Sequence, residues 1–158
     1  IVGRISSNCA PLLDFITPQI FVATGCDSED GRVYLGLTLE GRKLWEISSS
    51  STQVWPRLTP SPAGTRIALE TLVVSHAVNT IEPLSFEEVK GQLIQVYDAA
   101  SGKLLLAAPA DPILDGGGNV AISPSGRRVA VLNQGSIQVY ELAEPQAPTR
   151  ISTRVSGK

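Results

Sequence analysis

The chain has 158 residues, of which 42% are hydrophobic, 18% charged and only 5% aromatic, with a formal net charge of −2. That length and balance fit one globular domain spanning 1–158 with a sizeable core, and they exclude a disordered chain. They also exclude the clustered basic face that a nucleic-acid partner requires: Lys and Arg are scattered, and the pairs Arg42-Lys43 and Arg127-Arg128 each sit beside a predicted turn, where solvated edges are expected.

Residues 1–11 lead into the first regular unit. The chain begins Ile1-Val2-Gly3 and contains no Met, so a processed chain or a piece of a longer one is expected. A removed leader would leave no trace. The compartment stays open, an extracytoplasmic one being favoured over a cytoplasmic one. No apolar run approaches the roughly 20 residues of a membrane helix, so membrane insertion is not expected. Cys9 and Cys26 are the only cysteines, and no second pair accompanies them to complete a zinc site. Two readings stand: unpaired thiols, or a disulfide worth about 3 kcal/mol that ties the leading segment to the first unit.

Residues 12–17, a short apolar run, and residues 19–26, 32–39 and 43–48 read as the four strands of a first unit. Asp27-Ser28-Glu29-Asp30-Gly31 is the loop between the second and third. A calcium loop of the EF-hand kind would need Glu eleven positions after Asp27, where Thr38 stands; a polar hairpin loop is the better reading. Residues 48–52 link to a second unit with strands at 53–59, 66–75, 92–98 and 103–107. Its second and third strands are separated by an insertion, 75–91, that contains Asn79. Within it Ser85-Phe86-Glu87-Glu88 is a capping-box pattern that predicts a single helical turn. Residues 110–118 lead to a third unit. Val120 and Ile122 mark its first strand, Ser123-Pro124-Ser125-Gly126 a turn, 127–132 the second strand, Asn133-Gln134-Gly135 a hairpin loop and 137–142 the third. Residues 149–155 are its expected fourth strand.

The units repeat. Ser61-Pro62-Ala63-Gly64-Thr65-Arg66-Ile67-Ala68-Leu69 matches Ser123-Pro124-Ser125-Gly126-Arg127-Arg128-Val129-Ala130-Val131 at an offset of 62, and Ile94-Gln95-Val96-Tyr97-Asp98 matches Ile137-Gln138-Val139-Tyr140-Glu141 at an offset of 43. The difference of 19 is the insertion. Without it the repeat length is roughly 40–45 residues, the spacing of a four-stranded propeller blade.

Ser-Pro-x-Gly between the first two strands, with Tyr97-Asp98 and Tyr140-Glu141 closing the third, resembles the blade of a WD-repeat protein, where Trp-Asp stands at the latter position. The turn Ala99-Ala100-Ser101-Gly102-Lys103-Leu104-Leu105 is similar to that family's approach to its fourth strand. Gly41-Arg42-Lys43-Leu44-Trp45 resembles the Gly-Lys-x-x-Trp turn of quinoprotein-type propellers. No Gly-His pair precedes a first strand, and Gly36-Leu37 stands where Tyr-Asp would fall in the first unit, so the resemblance is to a divergent member. It implies an all-β propeller of four-stranded antiparallel blades, about three in this chain, at roughly 12–48, 53–108 and 119–155. In such blades the loops between strands two and three share a face with the blade-to-blade connections. Carried over, this gathers 27–31, the insertion, 133–135, 48–52 and 110–118 on one face.

The residues offer little chemistry. His76 is the only histidine, so neither a histidine metal cluster nor a catalytic triad with a spare partner is expected. Gly116-Gly117-Gly118 follows Asp111 and Asp115, but no Gly-Lys-Ser/Thr and no helix follow to hold a phosphate. Glu87-Glu88 reads as a solvated pair. Trp45 and Trp55 read as core or inter-blade packing, with a place on a binding face as the second reading for Trp55. No catalytic residue, metal or cofactor is expected.

Loops on a rigid scaffold are where binding concentrates. The expected function is therefore a non-catalytic module that binds a protein or peptide through its loop face. Candidate residues there are Asp27, Glu29, Asp30, Trp55, Asn79, Phe86, Asp115, Asn119 and Asn133. Two alternatives are part of an extracytoplasmic propeller enzyme whose catalytic or cofactor residues lie in other blades, and a structural spacer. Three blades do not readily close a ring. The outer units show no switch to polar caps, with Ile20, Val22, Val33 and Leu35 at one end and Val129, Val131, Ile137 and Val139 at the other. Self-association, or the remaining blades of a longer chain, is expected to cover them.

Overall fold

The computed structural model describes residues 12–28, 31–78, 84–114 and 116–144. The leading segment with Cys9 and the expected strand at 149–155 lie outside them. Within the described residues eleven strands form three antiparallel sheets. Sheet 1 contains β1 (Leu12–Thr17), β2 (Ile20–Ser28), β3 (Gly31–Thr38) and β4 (Lys43–Ser50). Sheet 2 contains β5 (Gln53–Pro60), β6 (Arg66–Val74), β7 (Val89–Asp98) and β8 (Leu104–Ala110). Sheet 3 contains β9 (Val120–Ile122), β10 (Arg128–Asn133) and β11 (Ser136–Glu141). Within each sheet the strand order follows the chain. The chain is all-β, its only described helical element being the 3₁₀ turn Phe86–Glu88, and its successive meanders are consistent with partial propeller blades.

Sheet 2 is packed on both faces. Period-two alternation sends Ile67, Leu69 and Tyr97 toward sheet 1, where they share a core with Val22, Tyr34 and Trp45. The intervening Ala68, Ile94 and Val96 turn toward sheet 3 and bury against Val129, Val131 and Leu142. β6 therefore reads as a nearly unbroken buried run, as expected of a strand covered on both sides. Burial of each Val, Leu or Ile among them contributes on the order of 1.5–3 kcal/mol.

The repeated turns join the sheets. Ser61 Oγ accepts from the N–H groups of Thr65 and Arg66, both at 3.1 Å, and Ser123 Oγ accepts from Arg128 N–H at 2.9 Å. Gly64 and Gly126 lie at φ +65° and +75°, a region that L side chains disfavour. Each turn also seats on the preceding sheet. A Cβ on Gly64 would lie 2.6 Å from the Ile16 carbonyl oxygen, and one on Gly126 would lie 2.8 Å from Arg66 Cγ. Ala63 N–H donates to the Pro124 carbonyl at 3.1 Å across the second of these joints. Trp45 packs in the core between sheets 1 and 2, and its indole N–H donates at 2.9 Å to the carbonyl of Ala99 in the turn between β7 and β8.

Several loops are shorter than composition suggests. β2 and β3 pair through Ser28 and Gly31, so Asp27 lies in a strand rather than a loop. β4 runs through Ser50 because the serines pair with residues 31–33 of β3; a Ser run reads as loop by propensity, and the sheet ladder overrides it. β7 begins at Val89, with Gly91 opposite Val73, which trims the insertion to 75–88. β8 extends to Ala110 because it pairs with the long β7 as far as Gln92.

Candidate functional site

The ladder between β5 and β6 breaks between Val54 and Arg57. Pro56 has no N–H to donate there, and Trp55 takes φ +49°. For a non-Gly residue this left-handed conformation costs about 1–3 kcal/mol. A bulge re-aims a side chain, and Trp55 is half exposed.

The insertion rises beside it. Ser75 N–H donates to the Glu88 carbonyl at 3.0 Å and closes its base. The predicted capping box is present: Glu88 Oε2 accepts from Ser85 N–H at 2.7 Å. That bond, then the Ser85 hydroxyl, hold the Glu88 carboxyl below its ordinary range, and nearby His76 acts the same way. His76 Nε2 lies 3.4 Å from Glu88 Oε1, so the lone histidine braces the insertion. The cap leaves Phe86 77% exposed.

The connection from sheet 2 to sheet 3 forms the third wall, fixed by buried amides. Gln92 Oε1 accepts from Leu114 N–H at 3.1 Å and from Asn119 Nδ2 at 2.6 Å, and Gln92 Nε2 donates to the Leu114 carbonyl at 3.0 Å. Asn119 Nδ2 also donates to the Pro112 carbonyl at 2.6 Å. Ile113 is thereby held in place.

Trp55, Leu72, Leu84, Phe86, Val89 and Ile113, with Ser85, line a groove of about 340 Å³. Its floor is a small separate core of Val54, Leu72 and Val74, against which Leu84, Val89 and Ile113 pack. Two exposed aromatic rings on different segments thus flank one apolar hollow.

Of the sequence candidates, Trp55 and Phe86 meet here. Asn119 is 2% exposed and spends its amide on the network that positions Ile113. Asn133 ends β10 opposite Ser136, away from the groove lining. Asp27 lies in β2, and Glu29, Asp30, Asn79 and Asp115 lie outside the described residues. Leu72, Leu84, Val89 and Ile113 carry no sequence signal of a site; the one local signal is Pro56 inside a strand, a mark of a bulge.

Beside the groove, Glu70 is 3% exposed and stands opposite Arg57 in the ladder. Burial pushes its carboxyl up; Arg57 and the backbone N–H groups of Gly118 and Asn119 oppose that only in part. Burial, with Tyr34 nearby, pushes the Tyr97 phenol up to about 12. Among the described residues no three His, Cys, Asp or Glu side chains gather as metal ligands, and no helix is long and apolar enough to cross a membrane.

No family model matches the chain, and no curated protein matches it. Among solved structures, hydrazine synthase from Kuenenia stuttgartiensis is similar to it with a TM-score of 0.47 and 17% identity over 78% of this chain. The chain spans 37% of the length of that structure's chain.

Proposed function

We propose that the chain is a non-catalytic propeller-type module, of a divergent WD-repeat-like or quinoprotein-like kind, that binds a protein or peptide segment in the Trp55–Phe86 groove. One observation carries the reading: Trp55 and Phe86, on separate segments, flank a single apolar hollow of about 340 Å³, and Trp55 does so from a strained backbone. Strain kept at an exposed aromatic suits a site rather than a fold requirement. Aromatic anchors around a pocket are the usual centre of a binding hot spot. An aliphatic or aromatic side chain of the partner fills the hollow; Asp27, Glu29, Asp30, Asn79, Asp115 and Asn133 stay candidates for polar contacts on the wider loop face, apart from the groove itself.

Panning a random linear peptide library against the protein tests this. Recovered peptides are expected to share an aliphatic or aromatic anchor and to lose at least tenfold in affinity to Trp55→Ala and Phe86→Ala. Trp45 is buried, so a Trp45→Phe background makes Trp55 fluorescence the site reporter. Peptides whose binding ignores both variants, or the recovery of none, would overturn the reading.

A further inference from the structure

The joint between sheets 2 and 3 is written a second time on the far side of sheet 3, where no described residue covers it. At the existing joint Ala68, Ile94 and Val96 are wholly buried, and Arg66 pairs with Asp98 beneath the chain that leaves β11. The repeat offsets of 62 and 43 carry these five positions onto Ala130, Ile137, Val139, Arg128 and Glu141. The register places them together on the outer face: Arg128 stands opposite Glu141, Ala130 opposite Val139, and Leu132 opposite Ile137. There Ile137 is 73% and Val139 65% exposed. Of the residues expected at the outer faces, Val22, Val129 and Val131 turn inward instead and are fully buried.

The turn seat is repeated as well. The Gly126 turn sits against Ser61, Thr65 and Arg66. Their equivalents Ser123, Arg127 and Arg128, together with Ser125 and Glu141, line an open hollow of about 300 Å³. Among the described residues, sheet 3 therefore offers both an apolar face and an open seat for a turn.

The complementary face is at the other end of the same chain. Sheet 1 turns Leu13, Phe15, Phe21 and Leu35 away from sheet 2, with Leu13 and Phe15 more than 60% exposed. Its β1–β2 turn begins Thr17-Pro18. The Thr17 hydroxyl accepts from Gln19 and Ile20 N–H at 3.1 and 3.0 Å, as Ser61 and Ser123 do for their turns; this turn is two residues shorter.

We propose that the outer face of sheet 3 docks the outer face of sheet 1 from a second copy of this chain, head to tail, with the Thr17-Pro18-Gln19 turn entering the Ser123–Arg128 hollow. A heterologous contact of this kind closes when its rotation permits. Two copies then use both faces of each chain, and no apolar sheet face is left in water. The groove at Trp55 takes no part.

Sedimentation at micromolar concentration tests the proposal. The expected result is a dimer. Phe15→Lys and Ile137→Asp change exposed residues, so both variants fold, and each is expected to weaken association at least tenfold. Mixing the two restores a heterodimer, because one contact is native and the other pairs Lys with Asp. A monomeric native chain would overturn the proposal and leave both faces to a different partner. A dimer that survives either variant, or a mixture that stays monomeric, would overturn it too.

Discussion

Arg66 and Asp98 meet at 2.6 Å with the arginine side chain 1% and the aspartate side chain 7% exposed. The guanidinium also donates to the Thr65 and Ala143 carbonyls, at 2.9 and 2.7 Å. Asp98 Oδ1 accepts from Ala100 N–H, Ser101 N–H and the Ser101 hydroxyl. One ion pair thus ties the β5–β6 turn, the β7–β8 turn and the exit of sheet 3 together. Removing a single partner strands a buried charge, which costs roughly 3–5 kcal/mol. Arg66→Ala is expected to lose that much in urea unfolding, and Arg66→Met with Asp98→Leu to recover part of it. A loss below about 1 kcal/mol for Arg66→Ala, the range of exposed pairs, would contradict this.

Gly126 and Gly135 separate strain from contact. Both lie at positive φ, +75° and +71°, but a Cβ on Gly135 meets nothing within 4 Å whereas one on Gly126 strikes Arg66. Gly135→Ala is expected to cost about 1 kcal/mol from backbone conformation alone. Gly126→Ala should cost clearly more. Equal losses in thermal unfolding would mean that the turn does not seat on sheet 2.

Trp55→Gly removes the left-handed strain together with the indole. Gly accepts φ +49° without steric strain, which offsets much of what its more flexible unfolded chain and the lost indole contacts cost, so the melting temperature is expected to change little while peptide binding is lost. A fall of several degrees would show that Trp55 serves the fold.

Glu70 gives a pH signature of defined sign. Its folded pKa is raised by burial, so between the unfolded and folded values the native state holds more protons than the unfolded one. Its contribution is complete below the unfolded pKa and is lost as pH rises through the folded value. Glu70→Gln stays neutral, so its melting temperature relative to the native chain should climb from acid to neutral pH. A difference that stays flat or shrinks would show that Arg57 and the Gly118 and Asn119 N–H groups outweigh desolvation.

The parts legible in the sequence are those set by local chemistry. Ser-Pro-x-Gly dictates its turn from four adjacent residues, Ser85 and Glu88 announce their cap, and period-two alternation finds the strands. The groove depends instead on distant pairings. Leu72 becomes a floor only because the ladder slips between Val54 and Arg57. Ile113 becomes a wall only because Asn119 reaches Gln92, 27 residues away. Strand ends depart from local propensity where pairing with a neighbour outruns it, as at Ser50 and Val89. The direction of Val129 as against Ile137 rests on register, which the repeat alone does not state.

Sheet 2 shares a core with the sheet on either side of it, and this sets an order of opening. Loss of sheet 1 or sheet 3 removes one joint; loss of sheet 2 removes both. The amides of β6, covered on each face, are therefore the last to exchange with deuterated solvent, and those of β1 and β11 are among the first. A partner that seals an outer face slows exchange in the strand beneath it before it changes anything at the centre.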